Sequence, residues 1–161
     1  TKEIIMGLDV HAGFIDKTDP PKQSKTTSDG AVVDIADYAE DSLDYVYDNA
    51  ELPYYWRKHA RLQQFMMELD DKRNGITIEQ RSMEGMMHSL NGHIYLEKED
   101  ILKLQQLVEN DNLPFCPDSF FWGHQFQEET NKEYKEQDLK FCKDALDWLE
   151  KGHQVVYICS W

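Results

Sequence analysis

The chain has 161 residues, 40% of them apolar and 12% aromatic, with 31 acids against 17 bases and a formal charge of −14. That length fits one domain and supports a core without disulfides or a structural metal, and the composition excludes a disordered chain. So acidic a surface repels nucleic acid phosphates and anionic membranes, and suits a basic partner. Cys116, Cys142 and Cys159 are an odd number with no C-x-x-C spacing, so neither a disulfide framework nor a zinc knuckle is expected, and a reducing cytoplasm fits. No apolar run approaches the roughly 20 residues that span a bilayer, and the opening residues show no charged-then-apolar leader.

In chain order, Ile4 to Val10 is a short apolar run that reads as a buried strand. Pro20-Pro21 and the polar residues up to Gly30 predict a loop or hairpin excursion over 16–30. Residues 34–51 carry Asp34, Asp37, Glu40, Asp41, Asp44, Asp48 and Glu51 with no base. As a helix they align Asp37, Asp41, Asp44 and Asp48 in one acidic stripe. After Pro53, Tyr55, His59, Leu62, Phe65, Met66 and Leu69 recur at steps of three and four, which predicts the main helix, ended by Asn74-Gly75. Met83, Met86, Met87 and Leu90 fit a short helix. Gly92 to Leu96 reads as a strand.

Glu97, Glu99 and Asp100 then fall in the first turn of a helix, where the macrodipole favours negative charge. Ile101, Leu104 and Val108 form its apolar face, and Asn112 and Pro114 stop it. Residues 113–127 form a loop rich in proline and aromatics. Thr130 and Glu133 have the spacing of a capping box. The following helix buries Leu139, Cys142, Leu146 and Leu149, widened by Phe141, Ala145 and Trp148, and stops at Lys151-Gly152. Val155 to Cys159 is a closing strand. Three to four helices packed on a small, mostly antiparallel sheet, without βαβ alternation, make an α+β single compact domain.

Met6-Gly7-Leu8-Asp9, Tyr55-Trp56-Arg57-Lys58, Phe120-Phe121-Trp122-Gly123 and Cys159-Ser160-Trp161, in this order and spacing, resemble a family of small tailed-bacteriophage proteins with no agreed chemistry. The resemblance spans most of the chain. The sequence departs from the family pattern at Ser119, where glycine is usual, and at Trp122, where a third phenylalanine is usual. Some members carry the label phosphoglycerate kinase, which these residues do not support: no G-x-x-x-x-G-K-[ST] loop occurs, and 161 residues cannot supply two large lobes. The resemblance implies an accessory protein at work in the cytoplasm of an infected bacterium, in an anti-defence or other host-directed role.

Several constellations could carry chemistry. Tyr54, Trp56, Arg57, Lys58 and Arg61 set rings beside cations, and Phe121, Trp122 and His124 add further rings from the aromatic loop. Rings stack on a nucleobase and arginine forks onto phosphate, so these eight residues are the candidate ligand-binding set. The alternative is a core stripe with solvated cations, and a loop whose aromatics plug the interior. Asp9 and His11 share a strand face, but His88, His93 and His124 are scattered without H-E-x-x-H spacing, so no metal or cofactor is expected. Cys116, Cys142 and Ser160 lack a nucleophile elbow, and no catalytic residue is assigned. The acids between Asp34 and Glu51 could imitate a phosphate backbone or be a solvated face.

Three functions follow in order. The first is non-catalytic sequestration of a small anionic ligand or signalling nucleotide. The second is direct inhibition of a host protein through an acidic, nucleic-acid-mimicking surface. The third is hydrolysis of a phosphorylated metabolite. None requires direct nucleic acid or membrane contact, and a homo-oligomer is compatible with each.

Overall fold

In a computed structural model describing residues 8–18, 24–26, 32–34, 42–75, 92–116 and 126–160, four antiparallel strands form the main sheet. In chain order the described elements begin with β1 (Asp9–Ile15), β2 (Ser24–Thr26), β3 (Val32–Asp34), α1 (Leu43–Asn49) and β4 (Ala50–Arg57). They continue with α2 (Ala60–Asn74), β5 (His93–Leu96), α3 (Lys98–Glu109), α4 (Gln127–Glu150) and β6 (Gln154–Ser160). The main sheet runs β4-β1-β6-β5, and β2 and β3 pair separately as an antiparallel ribbon. The α+β class read from the sequence is the observed one.

Successive strand residues point to opposite faces, and this sorts the core into two parts. Val10 and Ala12 of β1, Tyr54 and Trp56 of β4, and Val155, Tyr157 and Cys159 of β6 face the helical side, where α2, α3 and α4 cover them. Ile15, Val156 and Ile158 face the other side, where Tyr45 and Val46 of α1 seal a smaller cluster. Because β6 is interior and covered on both sides, every residue from Val155 to Cys159 is buried.

The opening strand expected from Ile4 overlaps β1, which is described from Asp9, while residues 1–7 lie outside the described residues. Three other sequence expectations change. The acidic run is no single helix: Asp34 ends β3, Asp44 and Asp48 lie in α1, and Glu51 lies in β4, while Asp37, Glu40 and Asp41 are outside the described residues. Ser42 caps α1, its Oγ accepting from the Tyr45 N–H at 3.1 Å.

The main helix starts at Ala60, so residues 54–57 belong to a strand. Tyr54 and Trp56 turn inward while Tyr55 and Arg57 turn outward, a period of two that the longer 3.6-residue pattern overran. Finally, α4 begins three residues before Thr130. The Gln127 side-chain amide pairs with the backbone N–H and C=O of Cys116, both at 2.9 Å, and this buried pairing anchors the helix start. The proposed helix over 76–91 and the loop residues 117–125 lie outside the described residues.

Candidate functional site

The expected ligand-binding set is divided by the sheet. Trp56 is fully buried, its Nε1–H donating to Asp138 Oδ1 at 2.8 Å. The other carboxylate oxygen of Asp138 meets Nε2 of the fully buried His59 at 2.8 Å. Asp138 thus bridges the two rings, one oxygen on each. Tyr134 stacks on His59 with ring centroids 5.1 Å apart, and its hydroxyl donates to Arg57 O and accepts from Arg57 N. This Trp–Asp–His unit joins β4, α2 and α4 and leaves no ring face for a ligand. Buried charge is tolerated because every Asp138 oxygen is paired.

Tyr54 also faces inward. Arg57 and Lys58 are exposed where β4 ends, and Lys58 holds a left-handed backbone, φ 58°. Arg61 is half-buried, with Nη1 donating to Leu113 O at 3.4 Å and its guanidinium over the Phe115 ring. The cations and inward rings therefore do not converge on one ligand position. Phe121, Trp122 and His124 lie outside the described residues.

A different concavity opens between β4 and α4, an open cleft of about 900 Å³. Its geometry begins at a β-bulge. Ala12 pairs with Tyr54 but Phe14 pairs with Glu51, so Leu52 and Pro53 together oppose Gly13. The extra residue reverses side-chain direction along β4. Leu52 turns toward the α1 cluster, and Glu51 turns into the cleft beside Tyr54. Gly13 is required at this approach: a Cβ there would lie 1.7 Å from the Glu51 carbonyl oxygen.

The opposite wall is α4, where Glu136, Lys140, Asp144 and Trp148 repeat every four residues and share one face. Phe14 packs against Trp148 at a centroid distance of 4.8 Å, and Tyr54 presents its edge to Trp148 at 6.2 Å. The Tyr54 hydroxyl donates to Asp144. Burial, reinforced by that carboxylate, pushes the Tyr54 pKa above its ordinary value, so the phenol stays protonated at neutral pH. Tyr55 borders the cleft, but its side chain turns to the other face of the sheet, where its hydroxyl donates to Asp9 Oδ1 at 2.7 Å and its ring lies 4.9 Å from His11. Gln137, also in the lining, donates to Tyr55 O at 2.8 Å.

The cleft thus sets three carboxylates, Glu51, Glu136 and Asp144, and the aromatic walls against one ammonium, Lys140. This arrangement favours a cation and disfavours phosphate. Sequence reasoning placed Glu51 in the acidic run from Asp34 and missed Glu136, Asp144, Lys140 and the cleft role of Trp148. Their four-residue spacing on α4 was a readable signal, while the bulge that delivers Glu51 was not. Asp138 was also missed, although an acid between Tyr134 and Cys142 on an otherwise apolar helix face signals a buried, paired charge.

All three thiols are buried, and burial, with Asp138 and Glu109 adding to it, pushes Cys142 up to about 12; burial also raises Cys159. Among the described residues no three His, Cys, Asp or Glu side chains gather to hold a metal ion, and no helix is long and apolar enough to cross a membrane. Compared with known proteins, the chain matches no family model, no curated protein and no solved structure.

Proposed function

We propose that the chain is a non-catalytic binding protein that engages a basic protein partner through the β4–α4 cleft. The observation that supports this reading is the convergence of Glu51, Glu136 and Asp144 on one aromatic-walled concavity. A chain charge of −14 adds long-range attraction for a positive surface. Sequestration of an anionic nucleotide ranks lower, because Tyr54 and Trp56 are largely buried and the β4–α4 cleft carries net negative charge. The resemblance to tailed-phage proteins supports a host protein as the partner and an infected bacterium as the setting.

The test is affinity capture of proteins from bacterial lysate on the intact chain and on the triple variant Glu51→Gln, Glu136→Gln, Asp144→Asn. The dominant partner is then purified and titrated against both forms across a salt series. The expected result is a basic protein whose affinity falls as salt rises and which the triple variant fails to retain. Equal retention by the triple variant, or release of an intact nucleotide on denaturation, overturns the proposal.

A further inference from the structure

We infer that the group read by the cleft is an arginine side chain of the partner, its guanidinium against the Trp148 ring and forked onto Asp144 or Glu51; the inference rests on the cleft being the partner site. Recognition by strand addition is the competing mode for a site beside an edge strand. Here part of the β4 edge is already occupied: Tyr134 satisfies both Arg57 backbone groups and Gln137 satisfies Tyr55 O. Pro53 has no N–H to offer. These contacts disfavour strand addition beside the cleft and favour entry by side chains.

Among cationic side chains the walls select arginine. An ammonium is compact and strongly hydrated, and it gains little on moving from water into an open cleft. A guanidinium is weakly hydrated, stacks flat on aromatic faces and donates two parallel hydrogen bonds to one carboxylate. Trp148 is half-buried and packs on Phe14 at the cleft wall, so its ring keeps surface for a guanidinium. Asp144 is held in place by the Tyr54 hydroxyl, which leaves its remaining lone pairs for an incoming donor. Lys140, one helical turn from both Glu136 and Asp144, places a competing cation on the same wall. Its removal should tighten binding.

The experiment titrates the full chain with Gly/Ser nonapeptides that carry one central arginine, lysine or citrulline, followed by amide and indole NMR shifts. The expected result is perturbation of the Trp148 indole by the arginine peptide, with lysine at least about threefold weaker and citrulline silent. Trp148→Leu and Asp144→Asn should erase the arginine preference, the latter keeping an acceptor for Tyr54. Lys140→Ala should strengthen arginine binding about twofold to threefold, and Glu128→Gln, outside the cleft, should change nothing.

Equal arginine and lysine binding that ignores Trp148→Leu and Asp144→Asn overturns the arginine assignment and leaves the basic-partner reading standing. So does silence of all three peptides while the purified partner still distinguishes the intact chain from the triple variant. Loss of that distinction overturns the reading beneath it.

Discussion

The two sides of helix α4 carry similar chemistry and do opposite things. On one side Asp138 meets Trp56 and His59, all three buried, and both Asp138 oxygens are paired. On the other side Asp144 meets Tyr54 beside Trp148, but this group opens into a cleft with Glu51 and Glu136. A carboxylate among aromatics is thus a structural pin where water is excluded and a recognition element where it is not. Burial decides the role, because an unpaired charge is tolerable only within reach of solvent.

The sharpest way to break this comparison is to remove each carboxylate. Asp138→Ala leaves the Trp56 N–H and His59 Nε2 buried without a partner, and should lower stability by about 3–5 kcal/mol. Glu51→Gln on the cleft side should stay within about 0.5 kcal/mol, since Glu51 is exposed. Urea unfolding midpoints of the two variants against the parent chain check both. Equal effects would mean that the two sides of α4 are energetically alike.

Alkaline titration should separate the same regions. Cys142, Cys159, Tyr157 and Tyr54 all hold their protons more tightly when folded, chiefly through burial. A raised folded value stabilises the native state fully below the unfolded value. That contribution is lost as pH climbs from the unfolded toward the folded value. Decline should therefore begin near 9.0, the ordinary value of the thiols, and steepen past 10.0, that of the tyrosines. Cys142 alone should contribute a loss of roughly 2 kcal/mol by about pH 10.5. Urea midpoints from pH 8 to 11 report this, and Cys142→Ala should flatten the slope.

Gly13→Ala probes how the cleft side is built. A methyl group driven against the Glu51 carbonyl must displace the bulge, at a cost of about 1–3 kcal/mol. It should also turn Glu51 away from Asp144, so partner affinity should fall beyond what the stability change explains. Comparing thermal midpoint with affinity at a temperature where both forms are folded separates the two effects.

These differences also show what was legible in the sequence. Strand β5, helix α3 and strand β6 could be read directly, because each is short, regular and bounded by glycine, acidic or proline signals. The buried face of α4 was readable in outline, although it centres on Asp138, Phe141, Cys142 and Ala145 with the leucines at its margins. Residues 54–57 were misread because Tyr55 and His59 extend the true spacing of Leu62, Phe65 and Met66 backwards by one turn. Only pairing with β1 reveals the strand. The cleft was illegible for a related reason: its two walls are about 85 to 95 residues apart in sequence, and a bulge at Leu52-Pro53 decides whether Glu51 faces the cleft or the α1 cluster.

The smallest predicted effect tests the cation that remains beside the pinned side. Lys58 follows β4, donates its N–H to Leu8 O at 2.7 Å, and adopts φ 58° before His59 enters the buried network. A left-handed backbone is strained for lysine and natural for glycine. Lys58→Gly should raise stability by about 0.5–1 kcal/mol if the ammonium makes no contribution of its own. Lys58→Ala removes the same charge but keeps the strain, so it should leave stability nearly unchanged. A gain in the glycine variant alone identifies Lys58 as a turn residue whose charge is incidental. A loss of partner affinity in both variants would instead assign the ammonium a binding role at the end of β4, outside the carboxylate cleft.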